Sequence, residues 1–177
     1  MLLPKYNIII GVDPDTDKNG VCHLNTNTKK LEISSLTFPQ LLDYMRCMKD
    51  LQNRTDKSIV FVVEAGYLNK SNWHVNGKDN KRVATAKGNS AGRNHEVARK
   101  IIEMAKHYGL EVIETRPLKK MWKGPEGKIT HEELAYFTGI SGRTNQETRD
   151  SALLAWSYAG FSMRVKPVVM GEFFKKK

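Results

Sequence analysis

Four acidic residues stand where a folded chain could bring carboxylates together. Asp13 closes the apolar run Ile8-Ile9-Ile10-Gly11-Val12, and Glu64 closes a second run, Ile59-Val60-Phe61-Val62-Val63. Glu147 and Asp150 lie three residues apart at the start of a helical stretch, which puts them on one face. If the two runs are neighbouring strands and the helix packs across their ends, all four carboxylates converge. Such a cluster repels itself, and a divalent cation removes the repulsion. The set holds no histidine or cysteine, so hard oxygen donors favour Mg²⁺, with Mn²⁺ able to substitute, over zinc.

Each acid also has a plainer reading. Asp13 precedes Pro14 and could begin a turn. Glu64 could be an exposed strand terminus. Glu147 could be the third-position partner of a capping box opened by Thr144, and Asp150 a first-turn acid favoured by the helix dipole. The specificity lies in the combination of two strand ends with one helical acid pair. Asp13-x-Asp15-x-Asp17 is not a calcium-binding loop, because Lys18 and Leu24 stand where that loop needs glycine and glutamate.

The elements that must carry these acids follow from periodicity. Residues 6–12 read as a strand buried on both faces. Asn19-Gly20 reads as a turn, followed by short strands at 21–24 and 31–36 around the polar Asn25-Thr26-Asn27-Thr28 turn. Pro39 starts a helix with Leu41, Leu42, Met45 and Met48 on its buried stripe. Residues 58–63 read as a strand, 68–94 as a long polar loop, 94–108 as an amphipathic helix and 110–114 as a strand. Thr130 and Glu133 form a capping box for a short helix ending near Gly139, and a last helix spans 146–158. The order β-β-β-α-β-α-β-α-α predicts an α/β fold: a mixed five-stranded sheet, three antiparallel strands then two parallel ones, with helices on both faces.

The chain has 177 residues, enough for one α/β domain over 1–163, followed by a basic tail over 164–177 ending in three lysines. Its formal net charge of +10 points to a polyanionic partner, nucleic acid before anionic membrane. The loop at 69–94 carries Lys70, Lys78, Lys81, Arg82, Lys87 and Arg93 against the single acid Asp79. Two cysteines, Cys22 and Cys47, make no disulfide framework and fit a reducing compartment. No apolar run approaches the ~20 residues that span a bilayer, and no signal-peptide layout opens the chain.

To about Gly160 the sequence resembles the RuvC family of Holliday-junction resolvases, including divergent bacteriophage members. Ile8-Ile9-Ile10-Gly11-Val12-Asp13-Pro14 is similar to that family's first strand and Asp-Pro motif, and Val62-Val63-Glu64 to its second acidic strand. Glu147-x-x-Asp150 with Ser151-Ala152-Leu153 resembles the acid pair of its last helix. The resemblance implies a ribonuclease-H-like fold and two Mg²⁺ ions held by Asp13, Glu64, Glu147 and Asp150. It also implies an aromatic wedge at Tyr67 and phosphate-supporting lysines at Lys119 and Lys128. Asp15, where the family usually has glycine, and Glu147, where many members have aspartate, depart from the pattern.

The expected activity is two-metal hydrolysis of branched DNA, with four-way junctions foremost. One ion generates a hydroxide-like nucleophile, the other stabilises the leaving 3′ oxygen, and Lys128 offsets developing charge. Lys128 could equally be a solvated lysine before a helix. Tyr67, Lys70, Lys81, Arg82, Lys87, Arg93 and Lys119 are the expected nucleic-acid contacts. A homodimer built on the 94–108 helix is expected to cut paired strands, in a bacterial cytosol or that of a phage-infected host, with no membrane partner. The rivals are another nuclease of the same fold, acting on RNA–DNA hybrids or flaps, and a non-enzymatic binder using the basic loop with Tyr67, Trp73 and Trp122.

Overall fold

A computed structural model describes residues 5–69 and 80–165. Among these residues five strands form one sheet: β1 (Ile8–Asp13), β2 (Asn19–Asn25), β3 (Lys30–Leu36), β4 (Ile59–Glu64) and β5 (Glu111–Thr115), in the order β3-β2-β1-β4-β5. β1 pairs antiparallel with β2, and β2 with β3. β4 runs parallel to β1, and β5 to β4. This is the mixed sheet expected from the sequence. Among the described residues four α-helices accompany it: α1 (Phe38–Arg54), α2 (Lys81–His107), α3 (His131–Thr138) and α4 (Gln146–Tyr158).

The pleat sends alternate residues to opposite faces, and both faces are covered. Ile8, Ile10 and Val12 of β1, with Ile59, Phe61 and Val63 of β4, bury against Leu41 and Met45 of α1 and Ala98, Ile101 and Ala105 of α2. Ile9, Val60 and Val62 face the other way, onto Leu134 of α3 and the Ala152-Leu153-Leu154-Ala155-Trp156 run of α4. That is why these strands read as unbroken apolar runs. Pro39 sits in the first turn of α1, and the Gln40 side chain accepts the Thr37 N–H at 2.9 Å. The Thr130–Glu133 capping box is present at α3, which ends on Gly139 in the left-handed conformation that glycine favours.

Two expectations need correction. Asn19-Gly20 is not the turn but the start of β2: Gly20 pairs with Asp13, and the turn is 14–18. Asn19 is buried and closes that turn, accepting the Asp15 N–H at 3.1 Å and donating to the Leu36 carbonyl at 3.2 Å. The long polar loop also ends early. α2 begins at Lys81, where the Asn80 side chain accepts the Val83 N–H, so residues 81–94 are helical. They show no apolar stripe because they bury little: every residue from 81 to 93 whose side chain is described is exposed or half-exposed. Lys70, Trp73 and most of the 164–177 tail fall outside the described residues, as does the side chain of Lys87. No helix among the described residues is long and apolar enough to cross a membrane.

Candidate active site

The same pleat fixes where the acids point. Asp13 shares the parity of Ile9 and Gly11, and Glu64 that of Val60 and Val62, so both leave the sheet on the α4 side. β1 and β4 are parallel neighbours in the register Val12↔Val63, so Asp13 and Glu64 end adjacent strands one step further on. Two glycines let α4 come down onto them. A Cβ on Gly11 would run into the Ser151 carbonyl oxygen, and one on Gly20 into the Glu147 carbonyl, both far inside van der Waals contact. Gly20 lies opposite Asp13, so this close approach sets the first turn of α4, with Glu147 and Asp150, against the strand ends.

The capping of α4 leaves both helical acids available. The cap is Asn145, whose side chain accepts the Thr148 N–H at 2.9 Å, and Thr148 completes the capping box. The Thr144–Glu147 box considered above does not form. Asp15 is used differently: its carboxylate accepts the Asp17 N–H at 2.9 Å and shapes the 14–18 turn.

Electrostatics join the four acids. Burial pushes the Asp13 carboxyl well above its ordinary value, and the charges of Glu64, Asp150 and Glu147 push it further. Burial and the Asp150 charge raise Glu64 to about 7. Asp150 is raised by burial, against a 2.8 Å hydrogen bond from the Gln146 amide and the pull of nearby cations. Lys128 opposes the rise at Asp13, Glu64 and Asp150. The carboxylates feel one another without closing into a ligand shell. Among the described residues, no three His, Cys, Asp or Glu side chains are gathered tightly enough to hold a metal ion in this arrangement.

Lys128 is presented by a tightly hydrogen-bonded loop. Trp122 N–H bonds the Gly127 carbonyl at 3.0 Å, Gly124 N–H the Lys128 carbonyl at 2.9 Å, and Glu126 and Gly127 are both left-handed. The buried Glu133 carboxylate accepts the Lys123 N–H at 3.1 Å and anchors the loop to α3.

Three contributors escaped the sequence reading. Arg149 bridges loop and helix: its Nε donates to the Ile129 carbonyl at 3.0 Å and its Nη2 to Gln146 Oε1 at 2.9 Å, while Gln146 holds Asp150. Lys120 is a further cation felt at Glu64, ahead of Lys128, and at Asp150, after Lys128 and Arg149, whereas its neighbour Lys119 is not among the charges acting on these acids. A Lys-Lys pair after the last strand was visible in the sequence, but which member faces the acids was not.

The expected nucleic-acid contacts divide. Lys81, Arg82 and Arg93 are exposed on α2, which packs on the face of the sheet opposite α4. Tyr67, expected to project freely, is held in place. Its hydroxyl donates to Glu114 Oε2 at 2.6 Å, the Arg99 guanidinium lies 4.5 Å over its ring, and the His95 ring meets its edge at 6.1 Å. Trp122 packs against Phe137 at 6.0 Å as a rim of the core.

No protein-family model matches the chain, and no curated protein matches it in sequence. Solved structures with a similar chain path include RuvC of T. thermophilus in complex with a Holliday-junction substrate. It is 11% identical, with a TM-score of 0.42, over 86% of this chain and 94% of that one. The Fowlpox virus resolvase, in complex with Holliday-junction DNA, is 15% identical with a TM-score of 0.41, over 86% and 97% of the two chains. The large terminase nuclease of the thermophilic phage G20c is 15% identical with a TM-score of 0.31, over 86% and 82%. Identities this low assign no residue a role.

Proposed function

We propose that the protein is a divalent-metal-dependent endonuclease that hydrolyses phosphodiester bonds in branched DNA, four-way junctions foremost. The observation that carries this reading is the convergence of Asp13 and Glu64, from adjacent parallel strands, with the acids of α4 and with Lys128 and Lys120. A half-buried set of like charges with two cations at its rim suits a substrate that brings phosphate and a cofactor that brings positive charge.

The donor set fits hard divalent ions. Its oxygens are all carboxylate, and burial with mutual repulsion favours any ligand that neutralises them. Asp13, Glu64, Glu147 and Asp150 would hold the metal, two Mg²⁺ ions on this reading. Bound there, the metal supplies Lewis acidity toward phosphate and an activated water. Lys128 and Lys120 offset charge on the reacting phosphate. Arg149 positions Asp150 through Gln146 and ties the lysine loop to α4. The preference for junctions rests on the resemblance of the Asp13-Pro14, Val62-Val63-Glu64 and Glu147-x-x-Asp150 segments to the RuvC family. A homodimer belongs to the same proposal, because a two-fold junction needs two opposed cuts. So does residence in the cytosol of a bacterium or a phage-infected host.

The test is a panel of four-way junction, flap, duplex, single strand and RNA–DNA hybrid, each with and without Mg²⁺. Paired symmetric nicks in the junction, abolished by chelation, are expected. Preferential cutting of the hybrid or flap would replace the junction reading with another nuclease of the same fold. Binding without cutting at any Mg²⁺ or Mn²⁺ concentration would leave a non-enzymatic binder.

A further inference from the structure

We propose that the N-terminal half of α2, residues 81–93, is an arm that lies along double-stranded nucleic acid beyond the carboxylate end of the sheet. The inference rests on the nucleic-acid reading of the acid cluster and specifies how the substrate is held.

α2 has 27 residues, about 40 Å of helix, yet its buried side chains begin only at Ala98 and continue through Ile101, Ile102 and Ala105. Its direction follows from the connections. It joins β4 to the parallel β5, so it returns from the end of the sheet where Glu64 lies to the end where β5 begins. His95 marks the level of the acids along the helix, since a Cβ on Gly66 would meet its ring and Tyr67 packs against it, two and three residues past Glu64. The 13 residues before Asn94 therefore continue about 20 Å past the end of the sheet that carries the acids, from the face opposite α4.

The arm's chemistry suits a polyanion. Lys81, Arg82 and Arg93 are exposed, and no acid occurs from 81 to 95, the first being Glu96. Between the cations, small residues predominate, Ala84, Ala86, Gly88, Ser90, Ala91 and Gly92, with Val83, Thr85 and Asn89 among them. A Cβ on Gly88 or Gly92 would meet nothing within 4 Å. Glycine weakens an exposed helix, so two of them four residues apart give the free chain no benefit. Against a ligand they let the backbone approach closely. A second copy of the arm would meet like charge with like charge. The backbone of a duplex complements it, and a helix of this width enters a major groove. At 3.4 Å per base pair, an arm of about 20 Å reaches about six pairs from the reacting phosphate.

The test measures binding without divalent metal, across a salt series, to junctions whose arms are shortened stepwise. Wild type should lose affinity as an arm falls below about six pairs. The K81A/R82A/R93A variant should lose about 0.9 of salt slope for each contact removed, and should ignore arm length. The Gly88→Leu, Gly92→Leu double variant keeps every charge and should hold or gain helical circular dichroism, yet bind about tenfold more weakly. Unchanged slope and unchanged arm-length dependence would overturn the proposal. So would self-association without DNA that the leucine variant abolishes, which would make a second copy the occupant. The two readings fail separately. If wild type cuts while the arm variants bind normally, the arm is wrong. If the arm effects appear while wild type cuts nothing with any metal, the acid cluster is wrong.

Discussion

β1 presents two faces that share a backbone and little else. Ile8, Ile10 and Val12 meet α1 and α2 as ordinary close-packed apolar side chains. Ile9, Gly11 and Asp13 face α4: an apolar residue, a glycine that admits the helix backbone, and a half-buried acid. The first face holds the domain together through dispersion and the removal of apolar surface from water. The second places like charges together at a cost that the first must offset. Stability and chemistry are thus divided by residue parity within one strand, and substitutions on neighbouring residues should have opposite signatures.

The largest expected contrast is Asp13→Asn against Ile10→Ala. Asp13→Asn should lower junction cutting by about a thousandfold or more while leaving binding intact or tighter and the folded state no less stable. Ile10→Ala should lose about 2–5 kcal/mol in denaturant unfolding, yet cut normally once folded at low temperature. If Asp13→Asn cuts at the wild-type rate in saturating Mg²⁺, the functional division of the two faces is wrong.

Gly20→Ala probes the boundary between the faces. The added methyl must displace the first turn of α4 at the Glu147 carbonyl. A loss of about 1–3 kcal/mol is expected, with cutting reduced beyond what the unfolded fraction explains. Wild-type activity in this variant would mean that the seating of Glu147 is not critical.

The smallest effect is on pH. A carboxyl whose pKa is raised in the folded state binds protons more readily there than in the unfolded chain, so stability falls as pH rises. For Glu64 the window runs from its ordinary 4.5 to about 7. The metal-free protein should therefore melt at a lower temperature at pH 8 than at pH 5, Asp13→Asn should flatten the difference, and Mg²⁺ should raise the melting temperature more at pH 8. Melting that is flat across this window, with and without Mg²⁺, would show that the cluster carries no electrostatic strain.

Those elements that bury apolar surface were legible in the sequence. All five strands, and the helix spans beginning near Pro39 and at Gln146, follow from periodicity and punctuation, because burial on two faces leaves a mark on every residue. The front half of α2 left none, since a helix with exposed and half-exposed side chains needs no apolar stripe; Asn80 as a cap was a signal for it. Asn19-Gly20 misled because glycine there serves the approach of α4 rather than a turn. The acids were legible as strand termini and a helical pair. Their supports were less so: Lys120 acts by charge and Arg149 through the Ile129 carbonyl, across segments distant in sequence, while the Gln146–Asp150 and Arg149–Gln146 bonds have ordinary helical spacing that many polar helix residues share.

The two cysteines differ as sharply as the two faces. Cys22 lies fully buried in β2, and burial pushes its thiol far above the usual range, while Cys47 is exposed on α1. A maleimide dye should therefore attach at one place on the unmodified chain. That place is on the side of the sheet opposite α4, so a label there leaves the acids untouched. The wild-type sequence thus already carries a selective attachment point for fluorescence or surface tethering, and substrate arrival can be followed without engineering a residue.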